Sequence, residues 1–416
     1  MIQLFKNRGL LFLSLSSGVS QLGDRLTHMV IITLIGTMYP GRVRAFSDFA
    51  ITFSLPVIIL APFVGVFVDH WNRRTIMFRC HLIQAILIFL TPSFILLFKS
   101  IFPIWILVFL FFALDVFNNT AKNATVPDLV EYNDLVSANS FIITMARIAT
   151  FLGMVGGGYL IKWTGWHLGF YIDASTHLTA GLLALGMGAN FLFEPVKKIE
   201  LSIHRELKRS LKIFISDLKE LGILLIKDRV VDFVMISVFI LPFSAAIAYT
   251  VLIYIIQQEF GMGTAGVGWL GGIIGTGMFF GGILMGFLGK RFSRAKIILF
   301  SMAILALFFL IGPLFVAPAF LYLISFVSGA VFSFVGIAQD TILQEDVIKE
   351  VRGRIFATKE FIVNLAFLLC AVSIGIVSNV AKPWTILRIV GIIITAITIS
   401  AFFIQHLIPV EIRKRL

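Results

Sequence analysis

Residues 47–68 and 75–98 are two long apolar runs separated by a charged turn with room only for a chain reversal. A bilayer core takes about 20 apolar residues as helix, so each run is long enough to cross it. Two spans joined so tightly are antiparallel, and the alternation of apolar run and short polar turn continues along the chain. The spans expected on this basis are 10–36, 47–68, 75–98, 104–124, 137–161, 168–193, 231–258, 264–289, 295–312, 316–340, 354–380 and 384–408. Composition excludes the alternative of a soluble globule, since 59% of the 416 residues are hydrophobic and 13% charged. The reading is an all-α membrane protein with twelve transmembrane helices.

The turns carry topology. Lys6 and Arg8, Arg73 and Arg74, the whole 194–230 stretch, Lys290 to Arg294, Lys349 to Arg354, and Arg413 to Arg415 fall on one side. The opposite turns hold only Arg42, Arg44, Lys99, Lys162 and Lys382. Basic residues collect in cytoplasmic loops, which places both termini in the cytoplasm. The formal net charge of +12 is accounted for in this way, and no basic stripe with interleaved aromatics marks a nucleic-acid surface. Met1 to Gly9 is basic and runs into the first span without a small-residue cleavage site, the pattern of an uncleaved first helix.

Cys80 and Cys370 lie far apart in or beside spans, implying neither a disulfide framework nor a thiolate metal site. Gly266, Gly268 and Gly271 spell a dinucleotide fingerprint, but a membrane span follows them, so close helix packing is the better reading. No Walker loop, zinc spacing or nucleophile elbow is present. The chain reads as a non-enzyme without a bound cofactor, drawing on a proton or other ion gradient or on the substrate's own gradient.

The widest hydropathy break, 194–230, divides six spans from six. In it Leu207, Leu211, Phe214, Leu218, Leu221 and Leu225 recur at helical spacing, while Lys208, Arg209, Lys212 and Lys219 take other faces. This is the expected cytoplasmic amphipathic linker between an N-terminal six-helix bundle, 1–193, and a C-terminal one, 231–416. The halves echo one another: Gly65 to Ile76 aligns with Gly286 to Ile297, and the stretch around Ala121 with that around Ala338. Repeated bundles enclose a seam of the kind in which transporters bind substrate.

Charges inside spans cost about 2.5–3.5 kcal/mol each on insertion scales and face a cavity or a partner. Asp24 and Arg25 fall in the outer half of the first span, Asp115 in the fourth and Arg147 in the fifth near the midplane. Asp173 and His177 share one face of the sixth span at i, i+4. Asp115 and Arg147 read either as a structural ion pair or as a proton or substrate-cation site tuned by the arginine. His28, one turn from Asp24, is a candidate pH reporter or a structural histidine.

Gly65, Asp69, Arg73 and Arg74 resemble the loop signature Gly-x-x-x-Asp-Arg-x-Gly-Arg-Arg of the major facilitator superfamily, with His70 for the usual Arg and Asn72 for the usual Gly. Pro127 to Val130, Leu135, Ala138 to Ser140, Gly23-Asp24, Asp173-Ala174, the run from Tyr254 through Gly289, and Arg352 to Phe356 resemble its macrolide and siderophore exporter branch. Gly153 to Gly158 is similar to the antiporter motif of the fifth span, with Met154 where Pro is usual. The resemblance implies two pseudo-symmetric six-helix bundles, alternating access, a cavity lined by the first and fourth spans, a monomer, and a bacterial inner membrane. It points to proton-coupled efflux of an amphipathic or hydrophobic small molecule. A lipid or lysophospholipid transporter is the alternative within the class, and a transport-inactive membrane scaffold or sensor the alternative outside it.

Coupling is therefore expected at Asp24 and Asp115, with Arg147, His28, Asp173 and His177 as further candidates. A conformational latch is expected from Gly65, Asp69, Arg73, Arg74, Asp128, Gly353 and Arg354. In it Asp69 caps the eleventh span near Gly353, where the partial positive charge of a helix N-terminus collects.

Overall fold

The computed structural model describes residues 7–98, 100, 102–131, 135–187, 207–216, 219, 229–315, 317–346 and 349–408. Among them the long helical segments are α1 Arg8–Met38, α2 Val43–His70, α3 Arg73–Phe98, α4 Phe102–Leu129, α5 Leu135–Thr164, α6 Trp166–Leu185, α7 Arg229–Glu259, α8 Gly263–Arg291, α9 Arg294–Ile311, α10 Pro318–Asp346, α11 Lys349–Val377 and α12 Pro383–Leu407. Ten of these contain stretches apolar enough to cross a membrane by length and composition; α1 and α6 are not among the ten. The reason lies in their sequence. Ser14, Ser16, Ser17, Ser20, Gln21, Asp24, Arg25 and His28 dilute α1, and Asp173 to His177 interrupt α6.

Several ends differ from expectation. α6 stops at Leu185, where the Gly186 N–H closes onto the Leu182 and Leu183 carbonyls, instead of running on to 193; residues 188–193 lie outside the described set. α4 continues past 124 through Pro127, and α11 begins at Lys349. α7 is not regular. A turn at Phe239 precedes Pro242, which has no N–H to donate, and π-helical turns occupy Ala248–Leu252 and Ile255–Glu259.

The chain divides into two compact units, one of residues 1–40, 52–212 and 262–271, the other of 41–51, 213–261 and 272–416. Each unit has the same internal packing. In the first, α1 packs on α5 and α6, and α3 on α4 and α6. In the second, α7 packs on α11 and α12, and α9 on α10 and α12. First helix to fifth and sixth, third helix to fourth and sixth: the pattern repeats six helices later.

Glycines set the spacing. A Cβ on Gly153 would lie 2.7 Å from the Leu22 carbonyl oxygen, and one on Gly157 would lie 2.8 Å from Leu26, so α5 rides directly on α1. On the other side, a Cβ on Gly23 would overlap Thr176 and Asp173 of α6. The Gly153 to Gly158 stretch is thus used for close helix approach. In the second unit Gly277 and Gly281 of α8 sit against Phe326 and Ala330 of α10 in the same manner.

Of the expected linker, residues 207–216 form a helix. Ser210 donates to the Pro62 carbonyl at 2.5 Å in the first unit, and Phe214 stacks edge-on to Phe361 in the second. Leu211 stands exposed beside Lys208, Arg209 and Lys212, so the inward face is narrower than the leucine spacing suggests. Leu218, Leu221 and Leu225 lie outside the described residues.

Candidate functional site

The buried positions of α6 are Gly169, Phe170, Asp173, Ala174, His177, Ala180, Gly181 and Ala184, a helical stripe of small residues with an acid and a histidine at its centre. Small residues let α1 and α3 come close, and the charged pair is carried in with them. Ser16 of α1 donates to the Ala180 carbonyl at 2.8 Å, fixing the register of α1 on α6. That register sets Asp24, midway along α1, opposite His177.

His177 Nε2 lies 3.1 Å from Asp24 Oδ1 and 3.4 Å from Asp173 Oδ1, one imidazole edge facing two carboxylates. Its other nitrogen, Nδ1, is 3.1 Å from Nδ1 of His81 on α3. Asp173 is fully buried, receives Thr176 Oγ1 at 3.1 Å, and has no hydrogen-bond partner at Oδ2. Gln21 donates to Asp24 Oδ2 at 3.2 Å. Phe111 of α4 closes the group edge-on against His177. A small cavity of about 30 Å³, lined by Asp24, His28, Thr91, Phe111 and Phe112 among others, adjoins it. That is room for one water.

Chemically this arrangement can hold and pass a proton. His177 donates from Nε2 to either carboxylate, and its Nδ1 either accepts from or donates to His81. Among the described residues, Asp24, Asp173 and His177 are also the one group of three acid or histidine side chains whose oxygen and nitrogen atoms are close enough to surround a single cation, all within 4.8 Å of one another.

The other expected residues are distributed as follows. His28 is buried on α1, with Arg25 Nη1 at 3.2 Å from its Nδ1 and the Phe53 and Phe112 rings at 5.7 and 6.2 Å. Arg25 thus finds partners on its own helix, His28 and Gln21. The expected pairing of Asp115 with Arg147 is not seen: Asp115 accepts from Asn119 at 2.9 Å, while Arg147 is exposed. Equal depth does not give equal azimuth. Arg147 precedes Gly153, which touches α1, by six residues, about 120° around α5. Asn119 in turn accepts from Lys122 at 2.7 Å, and Lys122 also reaches Ser17 at 3.5 Å. Asp115 is bridged to a cation of its own helix.

At the other end of α4, Arg73 Nη1 is 2.6 Å from Asp128 and donates to the Ala124 carbonyl at 2.7 Å. Arg74 is buried. Asn72 caps α3 with its side chain, accepting from the Thr75 N–H at 3.1 Å. Gly65 has open space where a Cβ would stand. The Asp69, Gly353 and Arg354 side chains lie outside the described residues.

Sequence reasoning missed His81 and Lys122. Lys122 had a signal, seven residues and two turns from Asp115 on one helix face. His81 had none, since its partner is on α6.

A family model described as Major Facilitator Superfamily matches residues 13–358 and, in a second alignment, 234–415. The chain belongs to the Major Facilitator Superfamily. Among superfamily relatives, an uncharacterized MFS-type transporter, YfiS, of Bacillus subtilis is 24% identical over 90% of this chain and 88% of its own. The putative bacilysin exporter BacE of the same organism is 26% identical over 78% of each. Macrolide efflux protein A of Streptococcus pyogenes is 23% identical over 87% of this chain and 88% of its own. The crystal structure of the nucleoside transporter NupG superposes with a TM-score of 0.72 at 14% identity, over 95% of this chain and 98% of NupG. The chain is thus an integral membrane protein with the superfamily's two pseudo-symmetric helical bundles, a secondary transporter rather than an enzyme.

Proposed function

We propose that the chain exports an amphipathic or hydrophobic small molecule by alternating access, in exchange for protons carried by Asp24, Asp173 and His177. The observation that carries this is the sharing of one buried imidazole edge by two carboxylates on different helices. With both acids ionised and His177 protonated, the three groups sum to one negative charge. One further proton makes them neutral, and a net charge inside a bundle is costly. Taking up and losing that proton is then a switch between two electrostatic states at the α1–α6 contact. His81 extends the path by one hydrogen bond. Asp115, bridged through Asn119 to Lys122, is already compensated and serves the field around the switch.

The direction of transport follows relatives named as a putative bacilysin exporter and a macrolide efflux protein. The His28 ring, one turn from Asp24, and the Phe53 and Phe112 rings packed beside it give the cargo an apolar and aromatic surface. In this reading the protein works as a monomer in the bacterial plasma membrane with both termini in the cytoplasm. Bundles 1–193 and 231–416 alternate about the 194–230 linker, with Asp69, Gly353 and Arg354 as the latch residues.

The test is transport in proteoliposomes under an imposed pH gradient, screened over labelled macrolides, cationic drugs and lysophospholipids, with an internal dye reporting protons. Wild type should move one of these against its gradient with proton counterflow. Asp24→Asn and Asp173→Asn should lose gradient-driven accumulation and keep substrate exchange at equal pH. Full pH-dependent accumulation by both variants would remove the proton assignment.

A further inference from the structure

The second unit carries a groove at the seam between its third and sixth helices. Where α3 meets α6 in the first unit, the seam is bridged by the His81–His177 contact. The equivalent seam in the second unit, between α9 and α12, opens as a groove of about 1030 Å³. A second groove of about 540 Å³ lies on the other side of α9, against Leu284, Leu288 and Phe334. Lys296 and Phe300, one turn apart on α9, line both.

Polarity is graded along these grooves. Ser293, Lys296, Gln405 and His406 stand at one end, which the basic-loop pattern assigns to the cytoplasmic interface. Phe300, Ala303, Ile399 and Phe403 line the groove one to two turns deeper. Phe300 is 70% exposed, a large ring facing open space. α9 has only 18 residues, about 27 Å of helix. Lys296, in its first turn, therefore sits at the boundary between hydrocarbon and headgroups.

Among the described residues, the charged side chains lining the grooves are basic. Arg291, Arg294 and Lys296 fall within six residues, the first turn of α9 has no acid, and no acidic side chain lines either groove among the described residues. The positive end of the α9 dipole adds to the same field. A basic rim at the interface over an apolar, aromatic trough complements one kind of occupant, a molecule with an anionic head and hydrocarbon tails.

We propose that this face of the second unit is a binding site for an anionic diacyl phospholipid of the inner leaflet. The phosphate sits at Lys296, and the acyl chains lie on either side of Phe300 along α9. Lipid held there braces α9 against α12 and α10.

The experiment is native mass spectrometry of the purified chain exchanged from mixed micelles of phosphatidylglycerol and phosphatidylcholine. A parallel arm uses inorganic phosphate or glycerol phosphate. Wild type should retain phosphatidylglycerol in preference to phosphatidylcholine and ignore the soluble phosphates. Lys296→Gln should cut the preference about five-fold, the share of one interfacial cation. Ala303→Trp fills the trough while keeping Lys296, and should lower retention of both lipids. Equal retention of the two lipids by wild type would overturn the proposal. So would an unchanged preference in Lys296→Gln together with unchanged retention in Ala303→Trp. Should either variant fail to fold, the wild-type competition between the two lipids decides alone.

Discussion

Replacing Gly23 by Ala tests how the α1–α6 contact supports the proton-holding group. A Cβ at this position would overlap both Thr176 Oγ1 and Asp173 Oδ1, so either these side chains turn away or the helices part. Asp173 is fully buried, and Thr176 already donates to it, leaving little freedom to turn. Parting the helices on the order of 1 Å is the cheaper response, and overpacking of this kind costs about 1–3 kcal/mol. The same movement takes His177 Nε2 out of reach of Asp24 Oδ1, now at 3.1 Å. A hydrogen bond to a charged group contributes about 1.5–3 kcal/mol, so the summed loss is roughly 2.5–6 kcal/mol. Thermal unfolding in detergent measures the stability, and proteoliposome transport measures the coupling. Gly156→Ala is the matched control, since nothing lies within 4 Å of a Cβ there. Wild-type stability and transport in Gly23→Ala, or equal damage in Gly156→Ala, would refute a steric role for this contact.

His177→Gln retains a donor toward the carboxylates but cannot carry the imidazolium charge; it should keep equal-pH exchange and abolish accumulation driven by a pH gradient, measured by dye-reported proton flux. Arg73→Gln breaks an ion pair whose side chains are 34% and 45% exposed, so melting should move by less than about 1 kcal/mol, while slower turnover at unchanged substrate affinity would mark the conformational role. In the second unit Lys359 and Asp340 pair at 2.6 Å with the lysine side chain 9% exposed and the aspartate 49%. Asp340→Asn strands a buried cation and should cost at least about 2 kcal/mol in chemical denaturation, short of the 3–5 for a fully buried pair; Lys359→Met leaves an acid that water can reach and should cost less.

Hydropathy made most of the fold legible, because crossing a bilayer demands long apolar helices and little else competes with that signal. The same signal is weakest where the chemistry lies. Asp24, Asp173 and His177 were each visible as polar residues inside spans, and i, i+4 spacing placed the last two on one face. Nothing local joined them to α1, because that contact is made by Gly23 and the small-residue stripe of α6 across the bundle. The Asp115–Arg147 pairing went astray for the complementary reason. Depth along a helix can be counted from sequence, but which way each helix turns its faces depends on packing. Asn72 shows the same limit at small scale: expected as a turn residue, it acts through its side-chain oxygen as a cap on α3.

The poor hydropathy of α1 and α6 bears on biogenesis. Asp24 and Arg25 together oppose insertion of the first helix by about 5–7 kcal/mol, so α1 gains little from entering the bilayer alone. Its partner for Asp24 is 153 residues further along the chain. At about 5–20 residues per second, translation leaves that acid uncompensated for roughly 8–30 s. During that interval the nascent chain depends on the insertion machinery, or on the Gly153 face of α5, to shelter the charge. Substitutions in α6 should therefore lower the yield of protein in the membrane as well as its activity, and their effect should fall when Asp24 is replaced by Asn.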